Sequence, residues 1–246
     1  MSTLRIGFIK MNIEFIPSSK EAELVVPRPK PAKNYIPDWY KNIPTPVRDG
    51  LEFNNNPGDV SNLNIKACIP FLDAYTHGYI QETWTDIHIK ASEDGQTILD
   101  YNWAKGPNII GHRKQSSKFE ISNSYYDLEL LWEEQWLPKL PKGYSVLYTS
   151  PLNRFDLPFR SLDAVIDADN YYHEYKGQYP FYINKNFSGV IPAGTPMYQI
   201  IPIKRSDWQS ASIKFNEEEN RKRNQEIRKY FFRAYKNLFW ERKNFS

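Results

Sequence analysis

The chain has 246 residues, of which 40% are hydrophobic and 15% are aromatic. Charged residues make up 25% of the chain, and the net charge is +3 at pH 7. These proportions exclude a disordered chain, because the large aromatic side chains supply enough apolar surface for a core. A net charge this small gives no reason to expect a nucleic-acid partner.

The sequence contains one cysteine, Cys68, and no apolar stretch of membrane-spanning length. A single cysteine forms no internal disulfide, which is typical of proteins from a reducing compartment. The N-terminal residues lack the apolar core and the small-residue cleavage site of a signal peptide. We therefore expect a cytoplasmic protein without a membrane partner.

The first fifty residues are predicted to form short strands and a wrapping arm. The chain has 18 prolines against 11 glycines, and proline ends helices and removes a donor from a strand. Two short strands are expected within residues 4–16. The proline-rich arm covers residues 25–49 and has one helical turn, which starts at Pro37.

Residues 60–205 have the two-residue periodicity of a β core. A strand and a short turn at Asp73–Gly78 are expected first, and then a hairpin whose turn is Ser92–Gly95, since Asp-Gly tolerates positive φ angles. A change of phase near residues 84–87 predicts a bulge. Further strands are expected at residues 118–123, 127–132, 144–149, 161–168, 179–184 and 195–203.

A C-terminal helix is predicted within residues 216–241, because apolar residues from Glu217 to Trp240 recur with a helical period. Asn216, followed by Glu219, resembles a capping box. Many short strands followed by one helix predict a mainly β fold. We expect a β-sandwich or jelly-roll-like single domain over residues 1–246, with an amphipathic C-terminal α-helix.

The predicted C-terminal helix has more aromatic residues than one stripe needs, so a second contact surface is expected. This favours a homo-oligomer that associates through the helix or through the proline-rich arm. The helix also carries a basic run, Arg221–Arg223, but nearby glutamates dilute it. Nucleic acid is therefore disfavoured as a partner.

Three acidic residues form the densest group of candidate site residues. Alternate positions on a strand place Asp163 and Asp167 on one face, and Asp169 joins them if the strand continues. Clustered carboxylates repel one another unless a cation or a proton neutralises them. The pattern indicates either a divalent metal site or a general base, with a solvated strand end as the alternative.

Two stretches resemble an uncharacterised family, a domain of unknown function associated with tailed phages and some bacteria. They comprise residues 68–79 and, discontinuously, residues 150–153, 165–169, 181–184 and 191–196. Together they cover less than half of the chain, and the resemblance implies no known activity. It implies host cytoplasm or the virion as the location, and it marks four candidate ligand-binding residues: His77, Asn153, Asp169 and Asn184.

The region from Val165 to Gln199 is also similar to part of the dUTPase fold. The order of an aspartate-bearing strand, tyrosines and a strand–glycine–strand unit is shared. This similarity implies that Asp167 would hold a sugar hydroxyl or activate water. The phosphate-binding Arg-Ser-Ser segment and the glycine-rich tail of that fold are absent from the sequence, so the similarity predicts hairpin geometry alone.

Three functions stay open from the sequence. The first is a phage-type accessory protein that binds a small polar ligand or a partner in a β-sandwich pocket, lined by Asp163–Asp169 and by the turn at His77. The second is a structural or assembly protein of a virion without catalysis. The third is a metal-dependent or dUTPase-like hydrolase, so whether the protein is an enzyme is left open.

Overall fold

The computed structural model describes residues 11–44, 64–113, 121–171, 177–230 and 234–246. The chain divides into two compact units, the first from residues 1–30 and 79–205 and the second from residues 31–78 and 206–246. Compact units within a chain can belong to one domain. The expectation of a single domain over residues 1–246 therefore stays a prediction.

The mainly β prediction is confirmed, since the described residues form fourteen strands in four sheets. The strands are β1 (Glu14–Pro17), β2 (Lys30–Pro31), β3 (Tyr79–Glu82), β4 (Ile87–Ala91), β5 (Ile98–Trp103), β6 (Ile110–His112), β7 (Leu130–Glu133), β8 (Trp136–Lys139), β9 (Tyr144–Thr149), β10 (Phe159–Ser161), β11 (Ala164–Ile166), β12 (Gln178–Ile183), β13 (Gly189–Ile191) and β14 (Pro196–Lys204). The α-helices are α1 (Lys20–Val25), α2 (Asp38–Asn42), α3 (Ile69–Thr76) and α4 (Glu217–Arg228). None of the described helices has the length and apolarity that crossing a bilayer requires.

Two of the four sheets supply the core of the first unit. The strand order is β11-β9-β14-β3-β2 in the five-stranded sheet and β10-β12-β7-β6 in the four-stranded sheet. Two smaller sheets have the orders β13-β4-β5 and β1-β8. Strand β14 pairs antiparallel with both β9 and β3, and this central position explains why its first six residues are all buried.

Aromatic side chains fill the space between the five-stranded and four-stranded sheets. Tyr148 on β9 stacks on Tyr179 of β12 with ring centroids 4.1 Å apart. The Ser161 hydroxyl on β10 donates to the Met197 carbonyl on β14 at 2.8 Å. Burying each such aromatic side chain removes about 150–250 Å² from water. The finer expectation, a sandwich or jelly-roll strand order, stays a prediction.

The predicted hairpin is confirmed in β4 and β5. Ile87 and Ile89 are buried while His88 and Lys90 are exposed, as alternation on a half-buried strand requires. The turn that follows uses Gly95 at a φ of 64°, a conformation that glycine adopts without steric cost.

The predicted bulge near residues 84–87 is wrong. Strand β3 ends at Glu82, and β4 starts at Ile87 in a different sheet. At the break, the Thr83 amide donates to Thr195 and its carbonyl accepts from Gly194. The change of phase therefore reflects a change of sheet and not an extra residue in one strand.

The strand predicted before Asp73 is wrong, and the turn predicted at Asp73–Gly78 is wrong in part, because α3 covers Ile69–Thr76. Pro70 lies in the first turn of this helix, where its missing amide proton costs nothing.

The strand predicted at residues 161–168 is split into β10 and β11, which belong to different sheets. Helix α1 and strands β6 and β8 had no sequence prediction.

The C-terminal helix is confirmed from its start. The Asn216 side chain accepts a hydrogen bond from the Glu219 amide at 3.1 Å, as the capping pattern predicted. Helix α4 ends at Arg228, and one π-helical turn follows at Tyr235–Phe239. Residues 1–10, 45–63 and 118–120 lie outside the described residues, and with them parts of the predicted N-terminal strands, of the wrapping arm and of the 118–123 strand.

Candidate ligand-binding site

A polar cleft of the first unit opens where β9 ends. After Thr149 the chain makes a tight loop in which Arg154 N–H donates to the Pro151 carbonyl at 3.2 Å. Asn153 has a φ of 59° in this loop, which asparagine tolerates better than most residues. The Leu152 amide donates at 2.9 Å to the side-chain oxygen of Gln199, a residue that is 1% exposed. The loop is therefore held by a buried amide of the central strand.

Further hydrogen bonds fix the walls of the cleft. The Arg154 guanidinium donates hydrogen bonds to Asp156 from two nitrogens, with Nε–Oδ1 and Nη2–Oδ2 distances of 2.8 Å each. The Asn184 backbone amide donates to Pro158 at 2.9 Å, and its side chain donates to Leu157 at 3.2 Å. These contacts order the walls of the cleft from within the chain.

The cleft has a volume of about 230 Å³ and contains two arginines. Its polar walls include Asn153, Arg154, Arg160 and Asn184, and no carboxylate, histidine, cysteine or lysine is among the described residues that line it. Arg160 is exposed, and no carboxylate in the described part of the chain pairs with it. The cleft therefore offers a free cation and amide groups to a ligand.

The predicted acidic residues Asp167 and Asp169 are brought together by Arg205. Asp169 binds this arginine with both oxygens, one of them at 3.0 Å, and it also accepts from Gly143 N–H at 2.8 Å. The hydrogen bond from Arg205, followed by that from Gly143, lowers the pKa of Asp169 to about 2. Asp167 accepts from Ser145 at 2.6 Å, and that hydrogen bond lowers its pKa.

This acidic cluster lies at the start of β9, and the cleft lies at its end. Ser145 and Thr149 are four positions apart, so about 13 Å of strand lies between the two sites. Asp163 is exposed and does not join the contacts with Arg205. Within the described ranges no group of three or more histidine, cysteine, aspartate or glutamate side chains is arranged to hold a metal ion. The cation that neutralises Asp167 and Asp169 is Arg205.

His77 belongs to the second unit, where it follows α3. Its ring lies edge-on to Phe245 with centroids 4.9 Å apart. Burial lowers the pKa of His77, and the nearby Asp73 opposes this effect. Asp73 also accepts from the Trp240 indole at 3.0 Å and from Lys243 at 2.7 Å. In this unit His77 is part of a contact between α3 and the C-terminal residues.

A buried carboxylate, Glu134, was missed by sequence reasoning. It is 3% exposed and accepts from the Tyr148 hydroxyl at 2.5 Å, next to the rings of Tyr179 and Tyr198. Burial raises the pKa of Glu134 to about 7, against the hydrogen bond from Tyr148. In the described part of the chain no cation offsets this burial.

The predicted candidates thus take part in three different sets of contacts. Asn153 and Asn184 line the cleft, Asp167 and Asp169 bind Arg205, and His77 contacts Phe245. The two cleft arginines had no sequence signal, although Arg154 directly follows a stretch that carried the family resemblance. Arg160 lies on a three-residue strand, too short for its pattern to identify.

Comparison with known proteins adds no relative, since no family model, curated protein or solved structure matches the chain.

Proposed function

We propose that the protein binds a small anionic ligand in the cleft at the end of β9, as a phage-type accessory protein with a β-sandwich pocket. The observation that carries this proposal is the charge of the cleft walls: two arginines and two asparagines face it, without a lining carboxylate. Arginine recognises carboxylate and phosphate groups through paired N–H donors. The phage-type role itself rests on the sequence resemblance alone.

The two arginines have different parts in this proposal. Arg154 is already held by Asp156, so it shapes the wall and adds little net charge. Arg160 is exposed and free of a described carboxylate, so it is the group that binds the anion. The side-chain amides of Asn153 and Asn184 supply neutral donors and acceptors for the remaining polar atoms of the ligand.

The cleft volume limits the size of the ligand. At about 230 Å³ it is smaller than the 300–1,000 Å³ that is usual for drug-sized ligands. A compact carboxylate or phosphate compound fits this volume. Because the walls are held by hydrogen bonds within the chain, binding needs little ordering of the loop.

Binding is better supported than hydrolysis. General acid–base chemistry needs a titratable group within hydrogen-bond reach of the substrate. Among the described residues that line the cleft, Tyr125 is a titratable group besides the two arginines, and no histidine, carboxylate, cysteine or lysine is present. The assembly role is supported by a separate feature, the exposed residues that precede α4, among them Trp208.

A ligand screen followed by one substitution tests the proposal. Thermal-shift assays with inorganic phosphate, phosphorylated sugars and small di- and tricarboxylates should raise the melting temperature for at least one class. Arg160→Gln should then weaken that ligand about 10- to 100-fold in calorimetry, since a hydrogen bond to a charged group contributes about 1.5–3 kcal/mol.

Arg221→Gln is the matched control, because it removes the same charge from an exposed position on α4. It should leave the affinity unchanged. If both variants lose the same affinity, the ligand responds to the net charge of the protein and not to the cleft. If Arg160→Gln binds the ligand as tightly as the native chain, the ligand does not bind in the cleft.

A further inference from the structure

The chain between β14 and α4 is an exposed segment, residues 206–216, in which every residue is exposed. Three large apolar side chains lie in it: Trp208 is 89% exposed, Ile213 is 91% exposed and Phe215 is 77% exposed. Single exposed apolar residues are ordinary on a protein surface, but a close group of them marks an interaction site.

The residues of this segment alternate as they would in a strand, but the segment does not form a strand in the structure. Ala211, Ile213 and Phe215 alternate with Ser212 and Lys214, which places the three apolar residues on one face of an extended chain. The segment nevertheless forms neither helix nor strand. Residues 206–215 make no backbone hydrogen bond to another part of the chain that the structure describes. Unpaired amides and carbonyls on an extended apolar segment are a template for strand pairing.

We propose that residues 210–216 pair antiparallel with the same residues of a second copy of this chain, centred on Ile213. In this register Ile213 faces its own counterpart, and Phe215 faces Ala211. A large side chain thus meets a small one on the shared apolar face. Lys214, the only charged residue among 210–216, faces Ser212, so no like charges oppose each other.

The segment is self-complementary in size and in charge, which is what an isologous two-fold contact requires. Of its two large apolar side chains, Phe215 offers about 150–250 Å² per copy, and the smaller Ile213 adds less than that. A standard interface buries about 800 Å² per partner. The pairing therefore gives a weak, concentration-dependent dimer, and this inference is independent of the ligand-binding cleft.

Sedimentation velocity of the full chain, from low micromolar to high micromolar concentration, measures this association. The native chain should shift from monomer to dimer as the concentration rises. Ile213→Lys should stay monomeric throughout, because it places two positive charges opposite each other at the two-fold axis. Val165→Lys is the matched control, an equivalent change at a 61% exposed apolar residue of β11, and it should dimerise like the native chain. Far-ultraviolet circular dichroism checks that each variant is folded.

Disulfide crosslinking tests the register. In a Cys68→Ser background, which removes the exposed native thiol, Ile213→Cys should give a covalent dimer under mild oxidation. Ser210→Cys should not, because its counterpart lies six strand residues away, about 20 Å. A native chain that is monomeric at every concentration, a dimer that survives Ile213→Lys, or equal crosslinking at the two positions would overturn the proposal.

Discussion

Strand β9 passes two carboxylate sites that are built in opposite ways. At its start, Asp167 and Asp169 share Arg205, and the pKa of Asp169 is lowered to about 2 by the hydrogen bond from that arginine. Near its end, Tyr148 donates to Glu134, which no described cation offsets, and burial raises the pKa of that carboxyl to about 7. Hydrogen bonds and an opposite charge stabilise a carboxylate as an anion, whereas burial without a cation disfavours its charged form.

The difference also clarifies the cleft at the end of the same strand. There a cation lacks a counter-charge, because Arg160 has no carboxylate partner in the described chain. Charges that already pair with each other, as Arg205 does with Asp167 and Asp169, are less available to a ligand. An unsaturated cation at a surface cleft is available for binding.

The largest expected effect comes from replacing the buried carboxyl, Glu134→Gln. Burial raises the pKa of Glu134 from an ordinary value of 4.5 to about 7, so the folded state holds the proton up to about pH 7. The group's contribution to stability is therefore complete at low pH and is lost as the pH rises through 7. By about pH 8 the loss is about 3 kcal/mol in the native chain, since each unit of pKa shift is worth about 1.4 kcal/mol.

The Glu134→Gln variant should lack this loss and be the more stable protein at pH 8. Urea titrations at pH 5 and pH 8 give the two free energies of unfolding. Glu133→Gln, the same change at the partly exposed neighbouring residue, serves as the control and should keep the native pH dependence. If both variants show the same change in the free energy of unfolding between pH 5 and pH 8, the burial of Glu134 does not cause the loss of stability at high pH.

A somewhat smaller effect is expected from Gly177→Ala, which tests how tightly the buried site is closed. A methyl group there would meet the Glu134 carboxylate and would lie 2.7 Å from the Tyr179 hydroxyl. Overpacking of this kind costs about 1–3 kcal/mol. Introducing Glu134→Ala as well should reduce the cost, and the coupling is read from a double-mutant cycle. Additive losses would contradict the packing around Glu134 described above.

The smallest effect is expected at the acidic cluster, from Asp169→Asn. Because the folded-state pKa is depressed, the stabilisation is present above the ordinary carboxyl range and is lost as the pH falls through about 2. The variant should melt a few degrees below the native chain at pH 7, and the gap should close with acidification. Asp163→Asn, at an exposed position of the same stretch, should melt like the native chain at every pH.

Local patterns were enough to predict the long strands and the start of the last helix. Strands β9 and β14 are rich in β-branched and aromatic residues. Asn216 caps α4 through a contact three residues away. The breaks after Glu82 and Ser161 were not predictable, because a chain leaves one sheet for another only in response to distant partners. The Thr83 amide, for example, pairs with Thr195.

The candidate site was only partly predictable for the same reason. The family resemblance marked Asn153 and Asn184, which do share the cleft. The acidic residues were visible in the sequence, but Arg205, 36 positions from Asp169, was not visible as their partner. The burial of Glu134 was not visible in the sequence, because its neighbours Glu133 and Gln135 are polar. The tyrosines that surround it are brought there by the fold.

Amide chemical-shift mapping, during titration with the best ligand of the screen, locates the bound anion residue by residue. If the anion binds in the cleft at the end of β9, the backbone amides of Leu152, Asn153 and Arg154 and the side-chain amide of Asn184 should show saturable shifts. Resonances of Gly143 and Ser145, beside Arg205, should stay in place. Shifts confined to the Arg205 cluster, with the cleft amides unmoved, would contradict binding in the cleft.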